Sequence, residues 1–282
     1  MALFRKRKKE SVAIPFLISM VVSLILIGIP GFTIYNSIVS GKTGASGETE
    51  ASEFTPTESN ETTLLFSYTP NDKTLRPSFI ILRTSAMNRS FTFIPVSNDL
   101  LCGSEKMGEV FKKGGIIELK KAVEKTFDTK IDRYMNFNDE SLSVLCDALG
   151  GINYNVPDGL KGLNAGTQFL DSSFIIKLIA NPKYDEKART VAIGNVFADM
   201  IGGTSLKITA DMIEYAYNKD IDIVETDITA IDYENQKAAL EYILGSSSYT
   251  STYRVPSGKD TEQGILLEKD ALKQLKADSG LK

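Results

Sequence analysis

No histidine occurs anywhere in the 282 residues. That removes the commonest general base and zinc ligand, so Ser-His-Asp and Cys-His mechanisms are excluded. A basic surplus is missing too. Lys and Arg total 32 against 36 Asp and Glu, a formal net charge of −4, whereas dedicated nucleic-acid binders show a basic surplus or stripe. Nucleic acid is therefore not an expected partner. Cysteine is scarce, and Cys102 and Cys146 match no metal-ligand spacing. They are compatible with one disulfide outside the cell or with two buried thiols acting as small apolar groups. No internal repeat is apparent.

What is present begins with "FRKRKK" and the stretch that follows it. From Val12 to Tyr35 no residue is charged, long enough to cross a hydrocarbon core of about 30 Å at about 1.5 Å per residue. The prolines at 15 and 30 are tolerable in a membrane helix. Five basic residues at positions 5 to 9 predict a cytoplasmic tail over 1–11 and an extracytoplasmic remainder. The expectation is a retained signal-anchor helix over 12–39; a cleaved signal peptide, the alternative, has a shorter apolar region. Residues 40–61 are rich in Ser, Thr, Gly and Glu and read as a flexible linker. This gives a single-pass membrane protein with its folded domain, 62–282, outside the cell.

In that domain, "TTLLFSY", "SFIILRT" and "RSFTFIPV" read as strands, the last two joined through "SAMN" as a hairpin. "GIIELKKAVEKTF" places Ile116, Leu119, Val123 and Phe127 on one helical face. "IDRYMNF" alternates like a strand, and Asn138 or Asp139 caps a helix that ends at Gly150. "INYNVPDG" is a strand stopped by a turn, and further helices are expected near 171–180, 186–201 and 232–245. Alternating strands and helices predict a sheet sandwiched between helices.

The series "AVEKTF…IDRY…DALGGINYNVP…L-x-x-G-x-x-x-L" resembles the heart of the LytR-CpsA-Psr (LCP) family, whose domain carries the older name of cell envelope-related transcriptional attenuator. The residues that carry this are Ile131 to Tyr134, Asp147 to Gly151 with Val156-Pro157, and Leu163, Gly166 and Leu170. Lys106 and Gly114-Gly115 fit the same order, and "RVPSG" at 254–258 fits more weakly. The resemblance implies a three-layer α-β-α sandwich with a central mixed β-sheet. It also implies transfer of a glycan from a polyprenyl-diphosphate lipid onto peptidoglycan, with Mg2+ as cofactor if the chain is catalytically active. Arginines suit the diphosphate, carboxylates the metal and an apolar slot the isoprenoid chain.

Most positions that would do this work are substituted. The family's metal-associated aspartate falls on Thr69, and the aspartate of its "R-S-D-T" pattern falls on Ser78, although Arg76 is kept. In "IPVSND" Val96 stands where a phosphate-gripping arginine belongs and Ser97 where its acid belongs. Ala180 and Ala192 replace two further arginines, while Arg189 remains. Arg76 and Arg189 are thus the candidate phosphate-binding residues, and Arg83 and Asp99 the candidates for a relocated site. No catalytic residue and no metal ligand is assigned. Losing fixed cations and metal ligands removes most of what phosphoryl transfer needs. The expected function is an envelope protein that binds a polyprenyl-linked lipid, a cell-wall glycan or an envelope protein partner, with catalysis lost or weakened. An active glycopolymer phosphotransferase is the alternative, and a transcription regulator a weaker third.

Overall fold

The computed structural model describes residues 54–156, 164–180, 184–203 and 207–282. The expected anchor helix and most of the linker lie outside the described residues. Among the described residues, no helix is long and apolar enough to cross a membrane.

Strands β1 (Glu61–Tyr68), β2 (Ser78–Ser85) and β3 (Ser90–Val96) form an antiparallel meander. A small ribbon, β4 (Leu101–Cys102) and β5 (Glu105–Lys106), leads into helix Met107–Phe127. Then come β6 (Arg133–Phe137), helix Asp139–Ala148, the hairpin β7 (Ile152–Val156) and β8 (Gly166–Leu170), and helices Ser172–Ala180, Glu186–Gly202 and Ala210–Asp220. After them lie β9 (Glu225–Thr226), helix Ala230–Gly245, β10 (Thr250–Tyr253), β11 (Lys259–Asp260), β12 (Ile265–Leu266) and helix Lys269–Ser279. The main sheet runs β10-β3-β2-β1-β6-β9. It is mixed: β1 pairs in parallel with β6 and β3 with β10, while the other ladders are antiparallel.

Strand periodicity sorts the apolar side chains between two cores. Phe79 and Ile81 join Leu65, Ile94 and Val96 in the core covered by helices Met107–Phe127 and Lys269–Ser279. Ile80 and Leu82 join Phe93, Met135 and Phe137 in the larger core, which the remaining helices cover. Cys146 is buried in the larger core and Cys102 packs against the smaller one, so the sheet separates two free thiols and no disulfide links them.

The expected strands and most expected helices are present, with differences that have local causes. Helix Met107–Phe127 begins eight residues before the expected start at 115, because Gly115 takes φ 64° and joins two helical stretches across a kink. Phe54 packs on Tyr242 with ring centroids 5.2 Å apart, so the compact unit starts at Phe54. Pro95 lies beyond the last β10 pairing, Tyr253 with Phe93, where its missing N–H breaks no bond on that side.

Helix Glu186–Gly202 sits close on the sheet. A Cβ added to Gly194 would stand 2.9 Å from Pro95 Cγ and 3.0 Å from Tyr253 Cδ2, two stiff rings. Gly194→Val is expected to lower stability by about 2 kcal/mol or more, because overpacking outweighs the gain in helix propensity. Chemical denaturation would check this; an unchanged midpoint would show that the helix is free to lift off.

Candidate functional site

The retained arginines meet beyond the sheet end where β1 and β3 finish and β2 begins. Arg76 and Pro77 lead into β2, Ser97 and Asn98 follow β3, and Glu186 and Arg189 occupy the first turn of helix Glu186–Gly202. Asp185 caps that helix, its side chain accepting from the Lys187 and Ala188 amides. The last carbonyls of helix Ser172–Ala180 face the same point. Ile179 O accepts from Arg189 Nη1 at 2.6 Å and from Ser78 Oγ at 2.8 Å, and Ala180 O accepts from the Arg76 amide at 2.9 Å. Arg189 thereby satisfies a carbonyl that the helix end leaves open.

At the centre is Glu186. Its Oε1 accepts from Arg189 Nη2 at 3.0 Å and the Asn98 amide at 2.9 Å, with Asn98 Nδ2 and Ser97 Oγ each at 3.3 Å. Its Oε2 accepts from Arg189 Nε at 3.1 Å and Arg76 Nη1 at 3.0 Å. Arg189 also donates through Nη1 to Pro77 O and Ser78 Oγ, and it is 0% exposed. Burial pushes its guanidinium down from the ordinary arginine value, and the Glu186 charge opposes that shift. The two oxygens of a carboxylate thus occupy the donors that a bound phosphate would need. Arg76 alone keeps donors in contact with solvent, its side chain being 42% exposed.

The other candidate side chains lie outside this network. Val96 packs in the smaller core, as alternation along β3 requires. Asp99 pairs with Lys106 at 2.8 Å, both partly exposed. Arg83 is buried at the far end of β2, paired with Glu61 and donating to Thr63 Oγ1 at 3.3 Å. So Arg83 does not join Arg76 and Arg189, while Asp99 lies beside the corner, its charge acting on Arg189, with its carboxylate bonded to Lys106. Thr69 donates to Asn136 Oδ1, and Ala180 and Ala192 are core residues. Among the described residues, no group of three or more acidic or cysteine side chains gathers to hold a metal. A divalent cation needs one or two free carboxylates; Glu186 is saturated by cations and amides, so these residues do not fit Mg2+.

A second feature lies on the larger-core face. A cavity of about 460 Å3 separates the sheet from the helices, lined by Leu82, Phe91, Phe93, Met135, Met200 and Ile213 among others, a size usual for ligand pockets. Its polar rim, Ser59, Lys130, Asp132, Arg133, Asp232 and Gln236, is at the end where β1 and β6 begin. Arg133 grips Asp232 through Nε at 2.9 Å and Nη2 at 2.7 Å, and holds its carboxyl well below the usual range. Towards the arginines the cavity stops at Phe66, Phe137 and Phe197. Beyond them a hollow of about 10 Å3 reaches Ser78, barely room for one water.

Asp220 is in the cavity wall, 1% exposed, and neither of its carboxyl oxygens has a partner. Desolvation pushes its carboxyl up to about 7. Cys146 is nearby, its thiol pushed up to about 12 by burial first, then by the charges of Asp147 and Asp220.

Sequence reasoning missed two of these residues. Glu186 stands three positions before Arg189, a helical pairing distance that could have revealed it. Asp220 ends a polar-looking stretch and carries no signal of burial.

Two outcomes follow from this geometry. Glu186→Gln is expected to destabilise the fold by about 3–5 kcal/mol, since it leaves Arg189 buried without its counter-charge. Arg76→Ala should lose about 1 kcal/mol or less, because its ion pair is half in solvent. Comparable losses in denaturant titrations of the two variants would contradict this assignment. The second outcome concerns pH. Asp220 ionises near 3.8 when unfolded and near 7 when folded, so folding takes up a proton between those values and the contribution weakens as pH rises. Asp220→Asn should flatten the fall in stability between about pH 4 and 7; an identical slope in the variant would refute the shift.

Comparison with known proteins agrees with this architecture. Residues 73–173 match the LytR_cpsA_psr family. No curated protein shows a sequence match. A protein from Eubacterium siraeum DSM 15702, described as a transcription regulator, is similar in structure with a TM-score of 0.72 and 20% identity, over 84% of this chain and 98% of that one. TagV of B. subtilis gives a TM-score of 0.62 and 18% identity, over 79% and 98% of the two chains. TagT, in a structure bound to LI-WTA, gives 0.61 and 16%, over 84% and 98%. At these identities the likeness concerns the fold, and the family resemblance is confined to the matched segment. The mixed sheet with its helices therefore shares the fold of TagV and TagT, and residues 73–173 are similar to the LytR_cpsA_psr family.

Proposed function

We propose that this chain is a membrane-anchored, extracytoplasmic protein of the cell envelope that binds the apolar chain of a polyprenyl-linked lipid and does not transfer glycan. On this reading residues 12–39 are the anchor, 40–61 the linker and 62–282 an α-β-α sandwich facing the wall. The observation that carries it is Glu186. Its carboxylate sits on Arg189 and Arg76, the two cations left to grip a diphosphate. The family's phosphotransfer needs open cations and a held metal, and among the described residues this end of the sheet offers only the half-exposed Arg76 and no cluster that could hold a metal. What is provided is the apolar cavity, of the kind that holds a hydrocarbon chain. TagT is described bound to LI-WTA, which supports a lipid-linked wall polymer as the class of molecule handled by this fold.

The alternative, an active phosphotransferase using relocated residues, is disfavoured by the distance of Arg83 and by the pairing of Asp99. Arg83 is tied to Glu61 at the opposite end, and Asp99 is tied to Lys106.

The test uses the full chain with a lipid-linked glycan, peptidoglycan and Mg2+. The expected result is lipid retained on the protein with no glycan transferred. Inorganic pyrophosphate should leave the melting temperature unchanged beyond an ionic-strength control, because Arg189 is fully occupied and the solvent-facing donors of Arg76 alone do not make a diphosphate site. Sustained turnover, or stabilisation by pyrophosphate in the micromolar range, would overturn the proposal.

A further inference from the structure

The cavity wall is apolar around Asp220, formed by Leu145, Leu149, Ala216 and Ile213 on the neighbouring helical faces. Asp220 is the last residue of helix Ala210–Asp220. Its backbone carbonyl is used, accepting from the Ile223 and Val224 amides at 2.9 Å each. Its side chain is not. Both carboxyl oxygens are buried and unpartnered, and of the buried side chains described only Arg83, through its Nε alone, shares that condition. A buried polar group without a partner loses its hydration and gains nothing in return, about 1–3 kcal/mol against folding and more if it is charged. A purely hydrocarbon ligand would leave that loss in place. A phosphate would worsen it wherever Asp220 is ionised, since two anions would then share a low-dielectric space. A ligand carrying a hydroxyl would remove it.

We propose that Asp220 is the polar anchor of the cavity, and that it accepts a hydrogen bond from the hydroxyl of an uncharged amphiphile, a long-chain or isoprenoid alcohol. This rests on the reading that the cavity takes an apolar chain, and it narrows the class of that molecule. The polar group recognised is an alcohol, and the recognition site is the wall of the cavity rather than the arginine cluster. Two features of the molecule agree. Of the arginines that would select a phosphate, Arg189 is saturated and Arg76 is paired with Glu186 through Nη1, and Phe66, Phe137 and Phe197 line the space between them and the cavity. The charged groups on the cavity rim are themselves paired, Lys130 with Asp132 and Arg133 with Asp232, so an uncharged molecule can enter without breaking an ion pair.

The test is calorimetric titration of the chain, at about pH 8 where the Asp220 carboxylate can only accept, with farnesol, farnesyl methyl ether and farnesyl phosphate. Native protein is expected to bind farnesol about tenfold more tightly than the ether, the discrimination that one hydrogen bond to a carboxyl group gives, and more tightly than the phosphate. Asp220→Leu should bring alcohol and ether to within about twofold of each other, while Asp220→Asn, whose amide oxygen still accepts, should keep part of the preference. Asp220→Leu is expected to melt no lower than the native chain, because it removes an unpartnered group; Asp220→Asn serves as the near-isosteric control. Equal affinity of native protein for alcohol and ether, or a preference that survives Asp220→Leu, would overturn this inference and leave the apolar-chain reading standing. Failure of all three probes to bind would overturn both.

Discussion

Much of this fold turns on one buried ion pair. Arg189 is wholly inside the protein, and a guanidinium there is tolerable only because every side of it is met. Glu186 takes two of its nitrogens, and Pro77 O, Ser78 Oγ and Ile179 O take the third. Those acceptors come from β2, from the strand approach before it and from the end of helix Ser172–Ala180. One side chain therefore fixes three elements that are distant in sequence. Glu186 extends the same network to Asn98 and Ser97 after β3. A buried pair of this kind is weak evidence for net stability, since desolvation offsets attraction, but breaking it is expensive. It makes the corner rigid, and it closes it. A phosphate arriving there would meet a carboxylate already holding the donors, and exchange would require Glu186 to leave its cations uncompensated.

The sheet then separates two functions that a lipid-diphosphate enzyme would need to join. One end carries the arginine corner. The other carries a polar rim whose charges cancel in pairs. Three phenylalanines, Phe66, Phe137 and Phe197, line both the cavity and the small hollow on the side of the corner. A single ligand cannot place its chain in the cavity and its phosphate on Arg76 and Arg189 without displacing those rings. On the proposed reading, what stands against catalysis is thus not only the missing aspartates. The route between tail and head is interrupted by packing.

How far this was legible from sequence depends on the type of signal. Strand alternation in "SFIILRT" and "RSFTFIPV" was readable, and it also decided the fate of Val96. With Phe79 opposite Val96 in the ladder, that side chain is turned into the smaller core, where an arginine could not serve the site. The hairpin of β2 and β3 and the helix cap at Asn138 were readable for similar local reasons. Helices Ala210–Asp220 and Lys269–Ser279 were not, because their polar faces dilute the apolar period; Ala216 and Leu275 are among the few buried positions in them. Glu186 went unseen because attention to surviving cations does not ask what neutralises them. Asp220 went unseen for a stronger reason: burial of a helix-end carboxyl is decided by the cavity beside it, which exists only once four helices have met the sheet.

The two buried groups with unpartnered atoms show why one suggests a ligand and the other does not. Arg83 lacks a partner only at Nε, while its other nitrogens reach Glu61 and Thr63, and Lys282 completes the cluster. Its charge is compensated, and the missing bond is a local imperfection at the sheet's end. Asp220 lacks partners at both oxygens and borders about 460 Å3 of space that its neighbours do not fill. A protein could relieve the first strain by a small shift of a side chain. The second is relieved by a donor brought into an apolar enclosure, as the hydroxyl of an alcohol on a hydrocarbon chain does while its chain fills the space that a water would leave.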